Sequence, residues 1–229
     1  MAPSAVAGSD HAQTLTAAGD TGNACGPGLD RDILREYSPS PSPAAAMTVA
    51  TPPLAADLIA CWRLAGPRLW FARDDGFDAQ LRARFRVAHH RAACGEFDDW
   101  MDGSEGALAL LLLLDQVPRN IFRGSAHAFA CDPLARKHAR AAFAAGHDLR
   151  IEVPLRLFMY LPLEHSEDLA DQDEAVARIA ALGDALLLDY AHRHRDVIAR
   201  FGRFPHRNAA LARVNTAAEQ QWLDAGGGF

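Results

Sequence analysis

Apolar residues recur every three or four positions along most of the chain after Pro52, and this period predicts helices. One such stretch predicts a helix over about Asp78–Cys94. Its apolar positions are Phe77, Leu81, Phe85, Ala88 and Ala92. The opposite face carries Arg82, Arg86 and His89, and we expect it to contact solvent. No stretch shows the two-residue alternation of a strand, so the pattern predicts an all-α fold.

A longer apolar run, LALLLLL, lies within a predicted helix over Glu105–Asp115 that has Ser104 as its N-cap. Because this run is apolar on every side, we expect this helix to lie at the centre of the fold. Pro118 is expected to end it, since proline lacks the amide hydrogen and its ring clashes with the preceding turn.

Capping residues predict where the other helices begin and end. Pro52 and Pro53 open a helix that ends near Gly66, and Thr216 with Glu219 forms a capping box for the last one. Gly146, Gly183 and Gly202 are the predicted terminators of three helices. The helices between these ends are predicted over Asp132–Ala145, over Pro154–Tyr160, from Asp168 or Asp171 to Gly183, and over Ala185–Phe201. About seven to nine helices result.

Residues 1–50 differ in composition from the rest, being dominated by Ala, Ser, Gly, Pro and Thr. Such a segment buries too little apolar surface to offset its ordering entropy, so we predict a low-complexity disordered tail. An alternative is that translation starts at Met47. Residues 51–229 are then predicted to form a single helical domain.

The charge and the cysteines exclude several classes of protein. The net charge of −6 argues against nucleic-acid binding, and the longest apolar run is too short to span a membrane. The four cysteines are widely separated, which indicates free thiols in a reducing compartment. With no secretory signal at the N-terminus, we expect a soluble, cytoplasmic protein.

Three polar segments interrupt the apolar pattern. The first is Leu114–Asn120, the second is Leu161–Gln172 and the third is His192–Asn208. The third carries three histidines and five arginines within seventeen residues. We expect the three segments to meet in one place.

The first and second segments combine carboxylates with basic groups. Asp115 follows the leucine run and needs a cation, for which Arg119 or Arg123 is nearest; a structural ion pair is the simpler explanation. In the second segment, Glu164, His165 and Asp168 are spaced so that an acid–base pair or a metal site is conceivable. No specific metal signature such as HExxH is present, so no metal and no cofactor are predicted.

The third segment divides into a helix and a turn. His194 falls on the packed face of its helix, where a histidine with a satisfied partner and no ligand role is as plausible as a functional one. The turn after Gly202 groups Arg203, His206, Arg207 and Asn208. These arginines could pair with acids of other elements or bind a carboxylate or phosphate.

The quoted segments give the chain a resemblance to a bacterial family, domain of unknown function 924. The runs that carry it are WFARDDGFDAQLRARF, GALALLLLLDQVPRNIFRGSAHAFACDPLAR, LFMYLPLEHSEDLADQ, YAHRHRDVIARFGRFPHRN and NTAAEQQWL. It covers roughly residues 54–229. The resemblance implies a TPR-like stack of antiparallel helix hairpins, although the chain lacks a TPR consensus. It implies no activity.

Three hypotheses follow for the function. The leading one is a binding module for a small anionic ligand or a peptide terminus. Its candidate ligand-binding residues are Asp115, Gln116, Arg119, Asn120, Glu164, His165, Arg203, His206, Arg207 and Asn208. The alternative is a hydrolase with His165 or His206 as general base and Glu164 or Asp168 as its carboxylate partner. The third is a purely structural lattice of ion pairs. The sequence leaves the oligomeric state open.

Overall fold

The structure, a computed structural model, describes residues 49–228, and the predicted tail and the Met47 alternative lie outside this range. Nine α-helices form the described part. They are α1 (Pro53–Trp70), α2 (Asp75–Ala93), α3 (Ser104–Leu111), α4 (Val117–Ile121), α5 (Asp132–Ala144), α6 (Val153–Glu164), α7 (Leu169–Ala180), α8 (Ala185–Phe201) and α9 (Ala217–Asp224). The described residues contain no strand, which confirms the all-α prediction. The TPR-like arrangement of the helices stays a prediction.

The apolar helix α3 lies at the centre of the core, as predicted. Every residue from Ala107 to Leu114 is buried. Helices α1, α5 and α6 pack against α3, and α2 packs against α4 beyond it. Along the rest of the chain, α6 contacts α7 and α7 contacts α8, so neighbours in sequence are neighbours in space.

The helix does not end at Pro118, contrary to the prediction. A π turn over Leu112–Gln116 connects α3 to α4 without a break. In this turn the Val117 amide donates to the Leu112 carbonyl, five residues back. Pro118 then occupies the first turn of α4, where the lack of an amide hydrogen is tolerated.

Helix α6 also continues past its predicted end. It extends to Glu164, with Pro162 inside its last turn. Proline removes one helical hydrogen bond there, and burial of the surrounding apolar residues outweighs that loss. The expectation that a helix ends before proline was wrong at Pro118 and Pro162, because the tertiary packing determines where these helices end.

Several predicted helix caps are confirmed, but Ser104 is not an N-cap: it is the first residue of α3, and Gly103 occupies the N-cap. The Asp168 side chain accepts from the Ala170 amide, and the Asp184 side chain caps α8. Thr216 and Glu219 form the capping box of α9. Gly202 follows α8 with φ of 67°, a left-handed conformation that costs glycine little.

The prediction for His89 was wrong. It was placed on the solvent-facing side of α2, but it is fully buried. Its Nδ1 lies 2.8 Å from the carbonyl oxygen of Leu113 in the π turn.

No helix within residues 49–228 contains a stretch long and apolar enough to cross a membrane.

Candidate functional site

The three polar segments meet at His165. Its Nδ1 lies 2.8 and 3.0 Å from the two carboxylate oxygens of Asp115, which belongs to the first segment. Its carbonyl oxygen accepts a hydrogen bond of 3.0 Å from Nη1 of Arg207, in the third segment. The prediction that the three segments meet is therefore confirmed, and each segment contributes one residue to the meeting point.

The π turn places Asp115 in the core, where its carboxylate is fully buried. Gln116 donates to Oδ2 at 2.5 Å, and Nη1 of Arg119 lies 3.1 Å from Oδ1. Burial alone would raise the pKa of Asp115. The charge of Arg119 and the hydrogen bonds of His165 and Gln116 outweigh burial and hold this pKa well below its usual range. The carboxylate is therefore ionised at neutral pH.

Asp132 is the second buried carboxylate of the site and was missed by the sequence analysis. Arg119 binds it with two hydrogen bonds, of 2.9 and 3.0 Å, and Arg207 adds one of 3.2 Å. Its position at the start of the predicted helix Asp132–Ala145 suggested only a capping role, but Cys131 occupies the N-cap and Asp132 is the first residue of α5. An Asp-Pro pair predicts a helix start whether the aspartate is the N-cap or the first helical residue, so the pattern does not distinguish the two positions.

Arg207 is held between two aromatic rings. Its guanidinium carbon lies 4.8 Å from the ring centre of Phe129 and 4.4 Å from that of Phe204. Burial and the nearby charge of Arg119 lower the pKa of Arg207 to about 10, so it stays charged at neutral pH. Its Nε is buried and has no hydrogen-bond acceptor among the residues that the structure describes.

Glu164 and His194 form a second acid–imidazole pair beside the first. Nδ1 of His194 lies 3.0 Å from Glu164 and 2.8 Å from the carbonyl oxygen of Tyr190. Burial and the charge of Asp115 raise the pKa of Glu164 to about 8. Burial lowers the pKa of His194 to about 3. Both groups are therefore uncharged near pH 7, and the contact is a neutral hydrogen bond.

The His165 ring is the part of this junction that combines a fixed orientation with access to solvent. Its side chain is 14% exposed, whereas that of Asp115 is 1% exposed. Burial and the charge of Arg119 lower the pKa of His165, and Asp115 opposes them only in part. The imidazole is therefore neutral at physiological pH. With the hydrogen on Nδ1 bound to the carboxylate, the lone pair of the neutral ring lies on Nε2.

Two of the other candidates, Arg203 and Asp168, have their contacts elsewhere, whereas His206 is near the junction. Arg203 binds Glu219 of α9, with hydrogen bonds of 2.5 and 2.7 Å. Asp168 is the exposed N-cap of α7, which accounts for it without a catalytic role. His206 is exposed, with its ring 5.4 Å from that of Phe204. Partial burial and the charges of Arg207 and His165 lower the pKa of His206 to about 4.

The two asparagines stabilise the turns in which they lie. Asn120 donates to the carbonyl oxygen of Gln116 at 3.0 Å and accepts from Arg123. Asn208 donates to Asn215 at 2.7 Å. These contacts hold the two turns in place around the junction.

A family model described as "Bacterial protein of unknown function (DUF924)" matches residues 59–227. The chain belongs to this family. The match agrees with the extent of the resemblance in the sequence. In this DUF924 protein, the Asp115–His165 contact lies where the three polar segments meet.

One solved structure is similar to this DUF924 chain over most of its length. It is the structure of the protein of unknown function ATU0120 from Agrobacterium tumefaciens, at 50% sequence identity and a TM-score of 0.73. The similarity covers 76% of this chain and 98% of that one. None of the curated proteins matches the chain.

Proposed function

We propose that this DUF924 protein is a hydrolytic enzyme in which His165 acts as the general base. The observation that carries the proposal is the contact between His165 Nδ1 and both carboxylate oxygens of Asp115, at 2.8 and 3.0 Å. A carboxylate at Nδ1 fixes the hydrogen on that nitrogen and leaves the lone pair on Nε2. Because the pKa of His165 is lowered, the basic form is available at neutral pH.

The proposed reaction begins with the transfer of a proton to His165 and the attack of a water molecule on the substrate. Nε2 of His165 accepts a proton from a water molecule while the water oxygen forms a bond to a carbonyl or phosphoryl atom of the substrate. The imidazolium then returns the proton to the leaving group as its bond breaks. The ionised Asp115 stabilises the imidazolium that exists between the two events.

Arg207 supplies positive charge to the same junction. It contacts the backbone of His165 through Nη1, and its buried Nε lacks an acceptor within residues 49–228. A fixed cation near the reacting centre stabilises negative charge that develops on the substrate. Arg207 is therefore proposed as a positioning and electrostatic residue.

The arrangement of the arginines favours this proposal over a module that binds anions through them. Arg119 and Arg207 share Asp132, and Arg203 is paired with Glu219. Arginines that are already bound to carboxylates have few donors left for a ligand. The same pairing supports the structural alternative, a lattice that ties the helices together, and the experiment below distinguishes that alternative.

Hydrolysis of p-nitrophenyl acetate and p-nitrophenyl phosphate by the full chain tests the general base. Relative to wild type, His165→Gln should lower the rate at least about 100-fold, as loss of a general base does. His192→Gln is the matched control, because His192 is an exposed histidine of α8 outside the junction. Circular dichroism checks that both variants are folded. If hydrolysis is equal in wild type and His165→Gln, the proposal is wrong.

A second measurement does not depend on the choice of substrate. Diethyl pyrocarbonate modifies neutral imidazoles that it can reach, and mass spectrometry identifies the modified residue. We expect both His165 and His192 to react in the native protein. If His165 is protected until the protein is unfolded, its Nε2 is out of reach and the lattice explanation replaces the catalytic one.

A further inference from the structure

Three histidines form a cluster that the proposed hydrolytic function does not use. His89 and His90 lie near the end of α2, and His127 lies in the short 3-10 helix Ala126–Phe129 that follows α4. The nearest ring nitrogens of all three lie within 4.8 Å of one another. We propose that this cluster is a binding site for a divalent transition-metal ion of the Zn²⁺ type.

The spacing of the first two imidazoles suits two ligands of one ion. Nε2 of His89 lies 3.3 Å from Nε2 of His127. Two nitrogens bound to tetrahedral zinc at about 2.0–2.1 Å are themselves separated by about 3.3–3.4 Å. Their separation therefore already matches that of a bound pair.

His90 completes a nearly equilateral triangle. Its ring centre lies 5.2 Å from that of His89 and 5.3 Å from that of His127, while the latter two are 5.5 Å apart. His90 is exposed, and apart from the two other histidines its ring lies 5.9 Å from that of Phe122. A rotation of this side chain directs its nitrogen to the ion.

The hydrogen bond from His89 to Leu113 orients the buried ligand. In the π turn the Val117 amide donates to Leu112, and Pro118 has no amide hydrogen, so the Leu113 carbonyl depends on His89 Nδ1 at 2.8 Å. This bond places the hydrogen on Nδ1 and the lone pair on Nε2, toward His127. Histidines that bind metals usually have such a second hydrogen bond to a carbonyl or carboxylate.

The hydrogen between the two facing nitrogens must leave when the ion binds. With Nδ1 of His89 protonated, Nε2 of His127 donates to Nε2 of His89 in the metal-free protein. On binding, that proton moves to Nδ1 of His127, so His127 stays neutral. Protons compete with the ion for the imidazole nitrogens, so the site is weaker at low pH.

The surroundings of the cluster favour a nitrogen-binding ion with one open position. The Phe122 ring packs 4.1 Å from the His127 ring and shields one side of the cluster. His90 and His127 face solvent, so water has access to the ion. Three imidazoles without a carboxylate favour Zn²⁺, Cu²⁺, Ni²⁺ or Co²⁺ over Mg²⁺ and Ca²⁺, which prefer oxygen. Three protein ligands and an open position are typical of catalytic zinc sites.

Calorimetric titration of the chelator-treated full chain with ZnCl₂ tests the site. We expect one equivalent to bind to wild type, and His90→Ala and His127→Ala each to weaken binding at least tenfold. Both residues are exposed, so neither substitution should disturb the core. His192→Ala, which removes an exposed histidine of α8, is the matched control and should bind as wild type does.

Two further measurements use the same proteins. Zn²⁺ should raise the Tm of wild type and leave that of His127→Ala unchanged, since only the native cluster binds the ion. Co²⁺ should give the intense visible absorption of a tetrahedral complex with wild type alone. The proposal is overturned if wild type binds no Zn²⁺, or if His90→Ala and His127→Ala bind it as tightly as wild type.

Discussion

Two buried carboxyl groups beside His165 are held in opposite protonation states by their surroundings. Asp115 receives the charge of Arg119 and hydrogen bonds from its neighbours, and it is ionised. Glu164 is equally buried, but its contact is the neutral imidazole of His194, and it keeps its proton near pH 7. Burial therefore sets the cost of ionisation for both groups, and the partner determines whether that cost is offset.

Replacement of Glu164 by glutamine should change how stability depends on pH. The unfolded carboxyl has a pKa of about 4.3, and the folded one is raised to about 8. Between these values the native state holds a proton that the unfolded state has released. This group therefore makes wild type less stable as pH rises, by at most about 1.4 kcal/mol per pH unit. Glu164→Gln removes this slope and keeps an oxygen acceptor for His194.

Urea denaturation at several pH values measures the effect. The free energy of unfolding of Glu164→Gln, minus that of wild type, should increase from pH 5 to pH 8. Glu105→Gln, at an exposed position of α3, is the control and should give a constant difference. Parallel curves for Glu164→Gln and wild type would show that Glu164 is ionised in the folded protein.

At the level of single residues, the sequence predicted some partners and missed others. Arg119 is one helical turn from Asp115, so their pairing followed from spacing alone. Asp132 could not be recognised as the shared partner of Arg207, because the two are 75 residues apart in the sequence. Many other carboxylates were equally plausible at that distance.

Among the helices, three ends set by local capping were predictable, whereas the start of α3 and the ends set by packing were not. The Ser104 hydroxyl contacts Nδ1 of His147, 43 residues away in the sequence, and does not cap α3. The caps of α7, α8 and α9 lie at the predicted residues because each needs only one side chain and nearby amides. Helices were predicted to end before Pro118 and before Pro162, but both prolines lie inside continuous helical segments. Burial on several sides holds a helix together across a missing hydrogen bond, and sequence does not report the extent of that burial.

The approach of α3 to the short 3-10 helix Asp98–Asp102 provides a prediction at the level of elements. A Cβ on Gly106 would lie 2.3 Å from the carbonyl oxygen of Trp100, a contact with backbone that no side-chain rotation relieves. Gly106→Ala should destabilise the protein by about 2 kcal/mol from overpacking. This outcome runs against the helix propensity of alanine, which exceeds that of glycine by about 1 kcal/mol.

The urea midpoint measures this change. Glu105→Ala, at the adjacent exposed position, should shift the free energy of unfolding by no more than about 0.5 kcal/mol. An alanine at position 106 that leaves stability unchanged or raises it would mean that the two helices separate at little cost.

In the whole molecule, the site is assembled from residues far apart in the chain. Asp115 and His165 are 50 residues apart, and their meeting depends on how α3 and α6 pack. The sequence predicted that the three polar segments converge because each interrupts an otherwise apolar pattern. It did not predict the individual contacts, since those require the rotation of every helix about its axis.

The protein as a whole should lose stability in mild acid. Burial lowers the pKa of five histidines, whereas unfolded histidine titrates near 6.5. They are His89, His138, His165, His194 (to about 3) and His206 (to about 4). Below pH 6.5 the unfolded state therefore binds more protons at these positions than the native state does. Glu164 acts in the opposite direction but contributes one proton against as many as five. Stability should rise with pH from about 5 to 6.5 and fall gently above it.

Urea denaturation between pH 5 and 8 should show this maximum near pH 6.5. Carboxylates with lowered pKa, such as Glu167, affect stability only at lower pH, so the histidines and Glu164 dominate this range. A free energy of unfolding that is constant from pH 5 to 6.5 would contradict neutral, buried imidazoles.

Five identical residues, Leu110–Leu114, precede Asp115, and the π turn falls among them. A gain or loss of one leucine would leave the apolar character of this run unchanged. Each residue advances a helix by about 100°, however, so the same event would turn Asp115 away from His165. The apolar character of the run thus does not depend on the number of leucines, whereas the direction in which Asp115 points from the helix axis does. A length change in this run would break the Asp115–His165 contact without changing the apolar composition of the core.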